Sequence, residues 1–238
     1  MDDRAKQHKL SQSMKWRTRR WLSLALATAM VTGGLPSAWA QVTAEPSTHP
    51  SSVGHDQLAL QSGPTANVEG SARLEEASRL NDQGLELHQA GRYAEAELLL
   101  LQTLEIVRGQ LGDRHPSVAT SLNNLAVLYE TQGRYGEAEL LYLQALEISR
   151  EQLGDRHPNI ASSLNNLAVL YYAQGRYEEA KPLYQQALEI VREQLGDRHL
   201  YVAQSLNNLA VLYEAQGHYG EAELLYLQAL EISREQLG

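Results

Sequence analysis

The sequence predicts an all-α fold, a solenoid of stacked antiparallel helix pairs, and three observations carry that prediction. The nonapeptide SLNNLAVLY occurs unchanged at Ser121–Tyr129, Ser163–Tyr171 and Ser205–Tyr213, so the chain repeats with a period of 42 residues. Each period contains two stretches whose apolar residues recur at helical spacing. Glycine closes each stretch (Gly133, Gly154) and proline opens the next period (Pro116, Pro158). Between Ser117–Pro158 and Asn159–Leu200, 31 of 42 residues are identical. A repeat that strong decides the architecture before any finer reading. One helix pair cannot bury its apolar faces alone, so the pairs must stack.

The chain opens with a different kind of sequence. Residues 1–20 carry seven Lys/Arg against Asp2 and Asp3, a net of +5, which leaves −14 of the total −9 for the remaining 218 residues. Next come the apolar run Trp21–Val31, Gly33-Gly34, Pro36 and a small-residue end, Ala38-Trp39-Ala40. A basic segment, a short apolar segment and an A-x-A end describe a secretory signal peptide over 1–40. Cleavage is expected between Ala40 and Gln41. The apolar run is shorter than the roughly 20 residues that cross a membrane, so no membrane association is expected after cleavage. Met14 opens a signal of more usual length and is an alternative start, and the Arg19-Arg20 pair matches a twin-arginine signal only in part. The mature chain is therefore expected to be secreted or periplasmic.

Residues 41–70 mix Pro, Ser, Thr and Gly without a period and read as a disordered linker. His49 and His55 within it suggest no metal site. The repeat domain is expected over 71–238, in four units of about 75–116, 117–158, 159–200 and 201–238. The first unit is divergent and the fourth stops before its DRHP element.

Within a unit, Leu122, Leu125, Ala126 and Tyr129 lie at i, i+3, i+4 and i+7, one face of a helix expected from near Pro116 to before Gly133. The proline suits a first turn, where its missing N–H costs nothing. A second helix is expected over about Tyr135–Gln152, burying Ala138, Leu141, Tyr142, Ala145, Leu146 and Ile148 and capped by Gly154. Nine of the twelve tyrosines recur at three places per unit (Tyr129, Tyr135, Tyr142 and their equivalents), beside alanines that let helices approach. Interhelical packing explains them better than base stacking. Pro182 replaces Leu140 near the start of its helix, where losing one N–H should cost little.

The run Leu122, Leu125, Ala126, Tyr129, Gly133, Tyr135, Ala138, Tyr142, Ala145 resembles the tetratricopeptide repeat (TPR). The 42-residue period and the sequence LNNLAVLYETQGRYGEAELLYLQALEISREQLGDRHP are similar to its kinesin-light-chain variety, which is also widespread in bacterial proteins. The resemblance covers about 71–238 and implies a right-handed superhelix whose first helices line a concave groove that binds protein segments. The first unit departs most, with Leu87 and Leu100 at tyrosine positions and Asn81-Asp82 at the asparagine pair.

Two adjacent asparagines are ill suited to a helix interior, each about 0.5–0.7 kcal/mol worse than alanine. At about 100° per residue, Asn123, Asn124, Val127 and Glu130 fall opposite the Leu122 face. Carried onto the family's groove, the candidate peptide-binding residues are Asn123, Asn124, Val127 and Glu130, then Asn165, Asn166, Val169 and Tyr172, then Asn207, Asn208, Val211 and Glu214. Amides would grip a peptide backbone, the valines would floor the groove, and Glu130, Tyr172 and Glu214 would set selectivity. A competing use of the same asparagines, above all Asn124, Asn166 and Asn208, is to hydrogen-bond a neighbouring helix and fix the stacking angle. Thr120, Ser162 and Gln204 stand where a basic carboxylate clamp would be needed, so a neutral or weakly basic partner is expected.

The acidic body offers no basic stripe, which argues against nucleic acid. The absence of cysteine excludes disulfides, thiolate catalysis and sulfur-based zinc sites. The triplet DRH at Asp113–His115, Asp155–His157 and Asp197–His199 recurs at every linker and reads as turn and capping chemistry. No catalytic residue, cofactor or metal is expected, and the chain reads as a protein-binding module rather than an enzyme. Two alternatives remain. The fourth unit lacks a polar capping helix and is expected to leave Ala222, Leu225, Ala229 and Ile232 exposed, so a homo-oligomer could form there. Similar bacterial repeats are also joined to caspase-like proteases, which would make this chain the targeting arm of a truncated protease.

Overall fold

The computed structural model describes residues 64–237. The expected signal peptide over 1–40, and the linker up to residue 63, lie outside these residues. Eight helices follow in order: α1 (Pro64–Gln89), α2 (Tyr93–Leu111), α3 (Pro116–Thr131), α4 (Tyr135–Leu153), α5 (Pro158–Ala173), α6 (Tyr177–Leu195), α7 (Leu200–Ala215) and α8 (Tyr219–Leu237). No strand occurs among the described residues. Helix α1 begins inside the stretch read as linker, so Pro64–Gly70 is helical. Proline at a first helical position is pre-organised, and Ala66, Val68 and Glu69 do not break the helix that follows.

Consecutive helices pair as hairpins, α1 with α2, α3 with α4, α5 with α6 and α7 with α8. The chain divides into two compact units, residues 64–197 with three hairpins and residues 198–237 with the fourth. In the first unit, α2 packs on α3 and α4 on α5, and the first helices α1, α3 and α5 also touch in sequence. The middle hairpin of this unit, α3–α4, is therefore packed on both flanks.

Local chemistry fixes the bounds. At the start of α3 the His115 ring accepts a hydrogen bond at Nδ1 from the Ser117 amide (3.1 Å), and His157 and His199 receive the same bond from Asn159 and Tyr201. Histidine thus fills a capping position more often held by Ser, Thr, Asp or Asn. At the end of α3, Gly133 takes φ +74°, the Arg134 amide donates to Tyr129 O and the Gly133 amide to Glu130 O. That is a Schellman closure, and the left-handed φ explains the glycine. Pro182 is the sixth residue of α6, one turn deeper than a harmless position, yet the helix runs through it. It forfeits the bond its amide would make to Glu178 O.

The core is made by small residues at the crossing points and aliphatics around them. Ala126, Ala138 and Ala145 are completely buried, as are Leu122 and Leu128. Of the recurring tyrosines, Tyr129, Tyr142, Tyr171 and Tyr184 are buried as packing groups, whereas Tyr135 and Tyr219 are exposed. In the fourth hairpin, Ala222, Ala229 and Ile232 are buried and Leu225 is half-buried. The expectation that these four are exposed is corrected. They face inward, and Leu224, Leu227 and Leu230 are the exposed residues instead.

Candidate functional site

The candidate residues occupy the first helices, and the structure does not leave them open to solvent. Asn123, Asn124, Val127 and Glu130 on α3 are each half-buried, as are Asn165, Asn166, Val169 and Tyr172 on α5. A helical wheel for one helix predicts a solvent face opposite Leu122. Helix α3, however, packs against its own partner and the hairpins on both sides, so only a narrow strip of it stays open. Asn207, Asn208, Val211 and Glu214 on α7 are also half-buried, in the separate fourth hairpin.

The two asparagines of the α3 pair behave differently. Asn124 Nδ2 donates to Asn81 Oδ1 on α1 at 2.7 Å, a short bond between consecutive first helices. Asn123 Nδ2 reaches Ser163 Oγ on α5 at 3.4 Å, the long limit of a hydrogen bond, and its Oδ1 is buried with no hydrogen bond to protein. His88 Nε2 and Thr131 Oγ1 add a second link between α1 and α3 at 3.0 Å. Burial holds His88 below the ordinary histidine range, so a neutral ring makes this contact.

Glu130 is tied to its own hairpin. Its Oε2 accepts from the Tyr142 hydroxyl at 3.0 Å, and Glu214 accepts from Tyr226 at 3.1 Å in the fourth hairpin. Burial pushes the Glu130 carboxyl above its usual range, with the tyrosine bond acting the other way. The Tyr142 phenol is driven well above its ordinary value by burial and by the adjoining Glu130 charge. Tyr172, at the place of Glu130 in the next unit, lies 5.5 Å from the Tyr177 ring, centroid to centroid.

A second set of contacts, on the opposite edge, was not read from the sequence. Arg134 lies 3.7 Å over the Tyr129 ring, donates to both carboxylate oxygens of Glu97 at 2.9 Å, and pairs with Glu137. The Tyr129 hydroxyl donates to the same Glu97 at 3.0 Å. One unit later, Arg176, Tyr171, Glu139 and Glu179 repeat the clasp. These two clasps fasten the second hairpin to the first and the third to the second. The signal was present in the 42-residue recurrence of Glu97/Glu139 and Arg134/Arg176, but joining residues 37 apart requires the stack.

Asp113 pairs with Arg108, and Arg114 with Glu147 and Glu151, which accounts for the charged members of the DRH turn. Among the described residues no group of His, Asp and Glu could hold a metal ion, and no helix is long and apolar enough to cross a membrane.

Helix pairs of fixed length, stacked at a fixed period and tied at both edges, define an α-solenoid protein. The family profile described as tetratricopeptide repeat matches residues 75–151, 141–193 and 159–235, and the chain belongs to that family. It is similar to the solved structure of BtubC (BKLC) from P. vanneervenii, with 25% identity, 73% of this chain and 74% of that one covered, and a TM-score of 0.62. It is also similar to a putative kinesin light chain with nearly identical TPR-like repeats from Podosopora anserina. In two structures of that protein the identity is 30%, this chain is covered over 68% and 67% and the other over 76%, and the TM-scores are 0.58 and 0.56. No curated protein matches. The repeats are of the kinesin-light-chain-like type, and the tetratricopeptide fold generally mediates protein–protein interaction.

Proposed function

We propose that this chain is a non-enzymatic interaction module that holds an extended segment of a partner protein along its first-helix face. The observation that carries the reading is the unequal use of the asparagine pair. Asn124 is engaged with α1 through a short bond, while Asn123 makes only a 3.4 Å contact and keeps a buried acceptor without a protein partner. An amide in that state gains hydrogen bonds by turning toward a peptide backbone. Val127 and Val169 supply apolar contact on either side. Glu130 and Glu214 add acidity without a basic residue at Thr120, Ser162 or Gln204, which favours a neutral or weakly basic segment. The N-terminal sequence supports export of the module to the periplasm or beyond, and N-terminal sequencing of exported protein tests that part.

The test begins by selecting binders from a displayed library of unstructured neutral and basic peptides. Affinity is then measured for the triple variant Asn123→Ala, Asn165→Ala, Asn207→Ala, alongside helicity and melting temperature. At least a tenfold loss of affinity with little change in melting temperature is expected. Unchanged affinity, or a large drop in melting temperature, would overturn the assignment.

A further inference from the structure

Three tyrosine–glutamate pairs of the 64–197 unit share one geometry, and two of them are completed by an arginine. The Tyr129 hydroxyl donates to Glu97 at 3.0 Å and the Tyr171 hydroxyl to Glu139 at 2.9 Å. Arg134 and Arg176 then bond those carboxylates and lie over the tyrosine rings, 3.7 and 4.0 Å from their centroids. The third pair is Tyr142 donating to Glu130 at 3.0 Å. Among the described residues no arginine joins it.

The surroundings of Glu130 leave its charge uncompensated. It is the only charged residue of α3 and α5, which hold no Lys, Arg or His. The equivalent places in the hairpins before and after it are His88, a neutral ring bonded to Thr131, and Tyr172. Tyr142 and Tyr184 are buried. The Tyr184 phenol is pushed up by burial and then by Tyr172 and Glu130, so groups of α3, α5 and α6 converge at this point. Glu130 and Tyr172 are only half-buried, and each keeps part of its surface open. The Tyr142 bond does not block the carboxylate, whose oxygens accept several bonds. Glu97 holds Tyr129 and Arg134 at once in the same way. A half-buried carboxylate held by one hydroxyl gains most from a cation that brings several N–H donors.

We propose that Glu130 seats an arginine side chain of the bound segment, whose guanidinium bonds the carboxylate and lies against the Tyr172 ring. The partner thereby supplies the member that Arg134 and Arg176 supply within the chain. A guanidinium suits this place better than an ammonium, because its planar fork pairs with a carboxylate through two bonds and stacks on a ring. The assignment rests on the first-helix face as the binding surface and adds one required side chain to an otherwise neutral segment.

The test titrates the whole chain with N-acetylarginine amide and with its neutral isostere N-acetylcitrulline amide, followed by side-chain NMR at Glu130 and Tyr172. Saturable shifts at both residues are expected with the arginine compound, and an affinity at least tenfold lower with citrulline. Glu130→Gln keeps an acceptor for Tyr142 and should weaken arginine binding at least tenfold with melting temperature unchanged. Glu105→Gln, which removes an exposed carboxylate on α2, should leave it as it was. Readout at Glu130 separates this place from Glu214, which holds Tyr226 in the fourth hairpin. No saturable shift, equal binding of citrulline, or full binding by Glu130→Gln would each overturn the proposal. Selected peptides that bind as well with citrulline in place of arginine would overturn it too, and would leave the first-helix face standing. The capped amino acid needs no bound segment, so failure of this seat is read apart from failure of that face, which the peptide selection tests.

Discussion

The two edges of the 64–197 unit hold the same hairpins together by different chemistry. Along the first helices the links are neutral and compact, the Asn124–Asn81 amide bond and the His88–Thr131 contact. Along the other edge they are charged clasps, Arg134 with Tyr129 and Glu97, and Arg176 with Tyr171 and Glu139. Both sets are part-buried, but ion pairs such as Arg134–Glu97 carry net charges that salt screens, whereas a neutral amide pair is indifferent to salt and loses its full bond when one partner goes. The difference suggests a division of labour. The stack is fastened at both edges, which leaves Asn123 less committed to structure than Asn124.

The comparison can be broken at its shared base. Leu128 is completely buried in α3, which packs on the preceding hairpin through α2. Leu128→Ala should cost about 2–5 kcal/mol, measured by urea unfolding, and should loosen both edges together. A smaller, one-sided effect is expected of Asn124→Ala, about 1–2 kcal/mol from the stranded Asn81 acceptor. That loss should persist at high salt. If Asn124→Ala proved harmless, the amide edge would not be a fastening.

The histidine caps supply a pH-dependent term between these. The Nδ1 atom of His157 accepts from Asn159 only when unprotonated, and burial holds this histidine below its ordinary value of about 6.5. The folded chain therefore binds the proton less readily than the unfolded one. The cap contributes fully above about pH 6.5, and its contribution is lost as pH falls through the lowered folded-state value. His157→Asn keeps an acceptor that does not titrate, so the wild-type deficit at pH 5, about 1 kcal/mol, should disappear in the variant. Thermal melts at pH 5 and pH 7.5 read the difference. Tyr129→Phe should have the smallest effect, about 0.5–1 kcal/mol, because Glu97 loses one hydroxyl donor but keeps both bonds from Arg134. Raising the salt concentration should shrink the gap between wild type and Arg134→Ala, in contrast to Asn124→Ala.

How much of this was legible in the sequence follows from the range of each interaction. Helix ends, the left-handed Gly133 and the histidine caps are local, and the residues that set them are adjacent in the chain. The packing residues Leu122, Leu125, Ala126 and Tyr129 could be read from one helix's periodicity. The half-burial of Asn123 and Glu130 could not, because it depends on other helices, α5 beside Asn123 and α4 beside Glu130. The same limit misplaced the open surface of α8. Periodicity marked Ala222 and Ile232 as apolar, but only the hairpin shows that α7 covers them and that Leu227 and Leu230 are left outside. The identical sequences of α4 and α8 make the point directly, since Leu146 is buried and its equivalent Leu230 is exposed.

The most direct test of the interaction surface is photo-crosslinking with a selected peptide. A benzoylphenylalanine is placed in turn at Val127 and Val169 on the first helices and at Leu140 on the outer side of α4. Crosslinks from Val127 and Val169, with none from Leu140, are the predicted result. Crosslinking from Leu140 with silence at both valines would contradict the account and move the partner to the second-helix face.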